Sequence, residues 1–152
     1  MKAIIFSDSH GRTGDMIEAL EREKNINLVI FAGDVHSDIE ELMEVYPHKE
    51  FEFVKGNNDF WLNNVPNDRV FDFGGKKIFL THGHMYGVKT NPYNLLKKGR
   101  EMGVDVIIFG HTHSRFMEKS GDVIMINPGS VRSSYGILEV KNGEAFAEIK
   151  SM

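Results

Sequence analysis

The hydrophobic positions gather into short apolar runs, and five of these runs end abruptly in polar loops. Ala3–Phe6 leads into Asp8-Ser9-His10, Leu28–Phe31 into Gly33-Asp34, and Phe51–Val54 into Gly56-Asn57-Asn58-Asp59. Ile78–Leu80 leads into His82-Gly83-His84, and Val106–Phe109 into Gly110-His111-Thr112-His113. Short runs rich in Val, Ile and Phe and bounded by turn residues predict strands. Helical spacing is rarer. Asp15 followed by Glu18 predicts a capping-box start, with Met16, Ile17 and Leu20 on one face. Ser37 and Glu40 repeat the device ahead of Ile39, Leu42, Met43 and Tyr46, with Pro47 as the stop. Asn91-Pro92 opens a third helix carrying Leu95, Leu96 and Met102, closed by Gly103.

Three glycine-bearing turns predict hairpins. Gly74-Gly75 separates Arg69–Phe73 from Lys77–Thr81, Ser120-Gly121 separates Arg115–Lys119 from Asp122–Ile126, and Asn142-Gly143 separates Tyr135–Val140 from Glu144–Ile149. The first half therefore reads β-α-β-α-β, and the second half reads as largely antiparallel. So many strands against three helices overfill one doubly wound sheet. The expected fold is α/β, with two stacked mixed β-sheets flanked by helices in an α-β-β-α sandwich. No repeat, linker or charge block divides the chain, so residues 1–152 are expected to form a single domain.

Composition narrows the chemistry. The formal net charge of −4 and pI near 6.0 give no basic footprint for a dedicated duplex nucleic-acid surface. Cysteine is absent, which excludes disulfides, thiolate metal sites and cysteine nucleophiles together. The N-terminal apolar run, Ala3–Phe6, is too short for a secretion signal or a membrane span, so no membrane association and a cytoplasmic location are expected.

Five of the seven histidines lie in the five polar loops, beside carboxylates and an amide. The crevice beyond the carboxyl ends of strands is where open α/β sheets bind ligands. Asp8, His10, Asp34, Asn57, His82, His111 and His113 together exceed the needs of one tetrahedral structural ion. They suit two ions sharing a carboxylate, with positions left open for water and substrate. Asp34, alone in its loop and central in the set, is the expected bridge. Any single pair in this set is a weak signal, because Asp-x-His or Gly-Asp is more often a turn. The five in order are not.

Taken in order, DSH, GD, GNND, THGH and GHTH resemble the motifs of the calcineurin-like metallophosphoesterases, spanning residues 8 to 113. Asn127-Pro128-Gly129-Ser130 extends the resemblance toward the compact single-domain prokaryotic phosphodiesterase branch. The resemblance implies that Asp8, His10, Asp34 and His113 hold one metal and that Asp34, Asn57, His82 and His111 hold the other. It also implies that Asp59 acts behind the ligands. Where many family phosphatases carry His after the ligand Asn, this chain has Asn58. An amide donates a hydrogen bond but cannot deliver a proton as a general acid, help typically worth ~10²–10⁴-fold.

The expected activity is therefore a metal-dependent phosphodiesterase, cleaving a small phosphodiester by in-line attack of a hydroxide bridging a dinuclear centre. Asn58, Asp59 and His84 are the candidate catalytic residues beside the ligands. A nucleotide is one substrate class to consider, and self-association is left open. Mn²⁺ is the expected activating ion in vitro, with Ni, Fe, Co or Zn as the other candidates. Arg12 is a candidate phosphate contact, while His36 and His48 read as ordinary loop histidines. Phe60, Trp61, Tyr86 and Tyr93 follow site motifs and offer packing or stacking surfaces. Three other readings stand beside this one: a non-catalytic metal-binding scaffold, as in the retromer subunit the fold resembles, a phosphomonoesterase, and a polymer nuclease.

Overall fold

A computed structural model describes all 152 residues. The strands are β1 Lys2–Phe6, β2 Leu28–Phe31, β3 Glu50–Phe53, β4 Asp68–Phe73, β5 Lys76–Thr81, β6 Val106–Ile108, β7 Arg115–Ser120, β8 Val123–Pro128, β9 Ser134–Lys141 and β10 Glu144–Ser151. The helices are α1 Thr13–Arg22, α2 His36–Val45 and α3 Tyr93–Glu101. Two five-stranded mixed sheets result, in the orders β10-β9-β1-β2-β3 and β4-β5-β6-β8-β7.

Alternation along the strands explains why the sheets stack. Ala3, Ile5, Leu28 and Ile30 point into a cluster shared with Ile78, Leu80, Val106, Ile108 and Ile126 of the other sheet. The intervening Ile4, Phe6, Val29 and Phe31 point outward onto Met16, Leu20, Ile39 and Leu42 of α1 and α2. Phe79, Ile107 and Met125 do the same on the far side, meeting Leu95 and Leu96 of α3. With both faces covered, these strands lose the polar alternation of a half-exposed sheet and read as continuous apolar runs.

Three expectations need correction. The second half is not largely antiparallel at its centre, because β6 pairs parallel with both β5 and β8. The α3 crossover after β5 and the β7 excursion before β8 bring those strands in pointing the same way. Neither capping box forms: α1 begins at Thr13 and α2 at His36, with no side-chain cap at either N-terminus. Asp15 is instead drawn to Arg12, whose guanidinium donates to it at 2.9 Å. The first N–H of α2 is satisfied from far along the chain, with His36 N donating to Asp59 Oδ1 at 2.8 Å. His36 is accordingly no loop histidine; it is buried in the first turn of α2, its ring 5.2 Å from that of Phe53.

Parallel alignment of β1, β2 and β3, and of β5, β6 and β8, sends their carboxyl ends to one pole of the sandwich. All five motif loops leave from that pole.

Candidate metal centre

Asp8, Asp34 and His82 form the floor of the site, each at most 1% exposed, while His10 and His113 stand at its open rim. The backbone at these positions is unusual. Seven non-glycine residues have positive φ, and five of them are Asp8 (53°), His10 (42°), Asp34 (54°), His111 (71°) and His113 (59°). Left-handed backbone is disfavoured for residues with a Cβ and persists only where the surroundings impose it; it concentrates at functional sites. Here it turns each side chain back toward the strand ends.

Two glycines permit the close approach of the loops. A Cβ on Gly56 would collide with the Asp34 carboxylate, and one on Gly110 would collide with Ser7 Oγ and lie 2.9 Å from Asp8 Oδ2. The glycines of Gly-Asn and Gly-His are thus packing requirements.

Residues outside the ligand set hold the loops. Asp38 Oδ2 accepts from Ser9 Oγ at 2.6 Å and Gly11 N at 2.7 Å, pinning the first loop to α2. Buried Asn127 donates through Nδ2 to Gly110 O and Thr112 Oγ1, both at 2.9 Å, and Ser130 Oγ donates to Asp8 O at 3.0 Å. The Asn-Pro-Gly-Ser segment therefore braces the first and last loops together. Asp59 is buried too, accepting from Asp34 N at 3.1 Å and Gly56 N at 2.8 Å in addition to His36 N. It acts on the backbone of the site, not in its open space.

Three atoms show what the centre would hold. Asp8 Oδ2 accepts from Ser7 Oγ at 2.6 Å and His111 N at 3.1 Å, but buried Asp8 Oδ1 has no hydrogen-bond partner. His82 Nδ1 lies 2.6 Å from Ala32 O; a carbonyl only accepts, so Nδ1 carries the proton and Nε2 faces the centre. Asn57 Oδ1 lies 3.0 Å from both His82 Nε2 and His111 Nδ1. An orphaned carboxylate oxygen, an imidazole lone pair and an amide oxygen converge where a cation would satisfy all three. This donor set of nitrogen and oxygen atoms fits divalent metals.

The ligand atoms of Asp8, His10 and His113 lie within 4.8 Å of one another, and so do those of Asp8, Asp34 and His82. Asp8 is common to both groups. Asp34, expected as the bridge, belongs to the second group and also accepts Asn58 N at 3.0 Å and Asn58 Nδ2 at 2.7 Å.

The electrostatics are divided. Burial pushes Asp8 above the ordinary carboxylate range, with partial relief from His82, Ser7 and His113. Burial also opposes ionisation of Asp34, but His82 and both Asn58 donors outweigh it and hold that carboxyl down to about 2. Burial disfavours a charged His82, yet Asp34 and Asp8 overcome this and raise its pKa. His111 goes the other way, lowered to about 4 by burial and by the charges of His82, Lys89 and His84. His84 is also lowered, first by burial and then by His82; its ring lies 5.5 Å from His82 and 6.1 Å from His111, and its buried Nδ1 has no partner.

Other residues singled out by sequence fall elsewhere. Arg12 is paired with Asp15. Phe60 and Trp61 meet edge to face at 5.4 Å and are 76% and 59% exposed. Tyr86 is tied to Asp68 and Tyr93 to Glu118. Asp38 is not singled out by the sequence, and Asn127 stands there only within the Asn127–Ser130 motif, without its bracing role. Asn127 carried a signal, being a polar residue inside the apolar run Val123–Pro128.

Comparison with known proteins agrees with this geometry. The chain is 36% identical to the probable metallophosphoesterase YsnB of Bacillus subtilis over 95% of its own length and 88% of the relative's. It is 32% identical to the phosphodiesterase MJ0936 of Methanocaldococcus jannaschii, covering 85% of this chain and 83% of that one. Its fold matches the crystal structure of Entamoeba histolytica Vps29 complexed with zinc at a TM-score of 0.80, with 21% identity and 99% of each chain covered. The family model for the calcineurin-like phosphoesterase superfamily domain matches residues 1–143, and the chain belongs to that superfamily.

Proposed function

We propose that the chain is a metal-dependent phosphodiesterase acting on a small phosphodiester at a dinuclear centre, with residues 1–152 working as one unit in the cytoplasm. The observation that carries this reading is the convergence of buried, partnerless Asp8 Oδ1 with His82 Nε2 and Asn57 Oδ1. Asp8, His10, Asp34, Asn57, His82, His111 and His113 would hold two divalent ions, Mn²⁺ being the first choice for activity in vitro. When bound, such ions supply Lewis acidity toward the phosphoryl oxygens and acidify water to serve as the nucleophile.

Charge supports a diester over a monoester. Two divalent ions bring four positive charges, and Asp8 and Asp34 cancel two of them. A hydroxide and a singly charged diester neutralise the remainder. Asn58 adds to the argument: its amide is engaged with Asp34 and cannot protonate a leaving group. We assign it to holding Asp34 and Asp59 to holding the loop backbones. His84, free of hydrogen bonds at Nδ1 beside His82 and His111, is the group we assign to contact with the reacting phosphodiester.

The test uses protein stripped of metal, with single divalent ions added back, assayed on aryl phosphodiesters and monoesters. Turnover of diesters above monoesters, abolished by Asp34→Asn in a folded protein, is the expected result. A metal-loaded protein inert toward every ester would favour the scaffold reading instead. In His84→Ala the rate loss should grow as the leaving group becomes poorer; a uniform loss would remove the assignment to leaving-group contact.

A further inference from the structure

Beside the last motif loop lies a cavity of about 460 Å³, lined by Val88, Lys89, Pro92, Phe109, Thr112, Ser114, Arg115 and Phe116. Its size falls in the range of small-molecule sites, and apolar walls with a few polar groups are their usual character. Thr112 sits between His111 and His113, so one wall of the cavity is the loop that carries two candidate ligands. A larger cavity of about 650 Å³ borders the starts of β5, β8 and β10 and shares no residue with the centre.

The lining charges are one-sided. Lys89 and Arg115 contribute two cations and no lining residue is acidic, although the whole chain carries −4. Arg115 is already occupied, donating to Ser133 O at 2.9 Å and Ser151 Oγ at 3.1 Å. Lys89 is exposed and is the cation left to meet a ligand; its charge is felt at His111. The hydroxyl of Thr112 is committed to Asn127 and Ser114, which leaves the walls mainly apolar around Val88, Pro92, Phe109 and Phe116.

We propose that this cavity seats one ester group of the substrate, a planar apolar group bearing an anionic substituent at the Lys89 end. The inference rests on the phosphodiesterase reading and names the substrate class for it. Two sources share that chemistry: an aryl ester with an acidic substituent, and a nucleoside with a further phosphate.

The test keeps para-nitrophenolate as the leaving group and varies the other arm, as phenyl against para-carboxyphenyl and as thymidine against thymidine bearing a terminal phosphate. The native chain should prefer the anionic arm of a pair by kcat/KM. Lys89→Ala should erase that preference, and Lys89→Glu should invert it, a swing of about tenfold in the ratio of kcat/KM between the anionic and neutral arms at equal metal loading. The pair with the larger swing identifies the source. Metal-free protein should bind the preferred diester uncleaved, seen as a shift of the Val88 methyl NMR signals that weakens in Lys89→Glu. Turnover of diesters with a preference insensitive to residue 89 overturns the subsite alone. Absence of turnover on every diester with every divalent ion overturns the phosphodiesterase reading and the subsite with it.

Discussion

Replacing Asp59 with Asn separates an anchoring carboxylate from a reacting one. The native side chain is fully buried and accepts three backbone N–H groups, from His36 on Oδ1 and from Asp34 and Gly56 on Oδ2. An amide keeps one accepting oxygen and turns the other position into a donor. If the oxygen stays with Asp34 and Gly56, the new NH₂ faces His36 N–H, and two donors meet with no acceptor between them. Losing a hydrogen bond to a charged group is worth roughly 1.5–3 kcal/mol, and a buried donor left unsatisfied costs about 1–3 kcal/mol. The two overlap, so a loss of roughly 2–4 kcal/mol is expected. That lies within the usual stability of a domain, about 5–15 kcal/mol, so the variant should fold. At about 2–4 °C per kcal/mol for a chain of this size, the melting temperature should fall by roughly 5–15 °C.

The assay is urea and thermal unfolding of metal-free protein, with the denaturant slope required to stay constant. A second readout is metal affinity, which should drop about tenfold because the backbones of Asp34 and Gly56 lose their common anchor. Turnover per metal-loaded molecule should be nearly preserved. A variant melting within about 1 °C of the parent would refute the anchoring argument. So would unchanged stability with abolished turnover, which would return Asp59 to the chemistry.

Other expectations follow from the same geometry. Gly56→Ala places a Cβ into the Asp34 carboxylate, so metal affinity measured by calorimetry should fall more than about tenfold, with about 1–3 kcal/mol lost in urea unfolding. Glu23 is held down to about 2, against burial, by Lys150, Lys2 and Tyr135. Its depressed pKa means its contribution is complete above about pH 4.5 and lost as pH falls toward 2; Glu23→Gln should therefore cost about 1 kcal/mol at neutral pH, a deficit that narrows on acidification. His111, lowered to about 4, favours the folded state only when neutral, so stability of metal-free protein should decline as pH falls from 6.5 toward 4 and recover in His111→Ala. His82, raised by Asp34 and Asp8, must give up a proton to bind metal at Nε2, and calorimetry in buffers of different ionisation enthalpy should detect proton release on loading.

Residue type revealed which side chains could gather, because each followed an apolar strand and strand ends share a pole. The count of strands against three helices, too high for one doubly wound sheet, also revealed the stacked sheets. Backbone conformation was out of reach. Nothing in the letters Asp8 or His113 announces a positive φ, which long-range bonds such as Ser9 N to Asp34 O and Gly110 N to His82 O help to impose. The helix starts were misread for a related reason. Asp15 and Ser37 have the local spacing of caps, but Asp15 is taken by Arg12 and the first N–H of α2 by Asp59, far along the chain. Asp38 was illegible because an acid near a helix start looks like an ordinary complement to the helix dipole, whereas here it faces inward and holds Ser9 and Gly11.

The divided electrostatics of the floor explain why so much of the chain is spent on bracing. Asp8 and Asp34 are both buried, yet one is pushed up and the other held down, because only Asp34 receives Asn58 as well as His82. A single raised, buried imidazole between them can offset one carboxylate, not two, and Asp8 Oδ1 makes no hydrogen bond, facing only the exposed His113 Nε2 at 3.2 Å. Free loops could relax this imbalance. They are not free. Asp38 fixes the first loop to α2, Asp59 fixes the second and third to each other, and Asn127 with Ser130 ties the first to the last. Asp38, Asp59 and Asn127 are buried polar groups that the fold must desolvate. Their combined effect is to hold Asp8 Oδ1, which makes no hydrogen bond, beside His82 Nε2 and Asn57 Oδ1, which have only each other and His111 Nδ1 at 3.0 Å, an arrangement that a cation would favour.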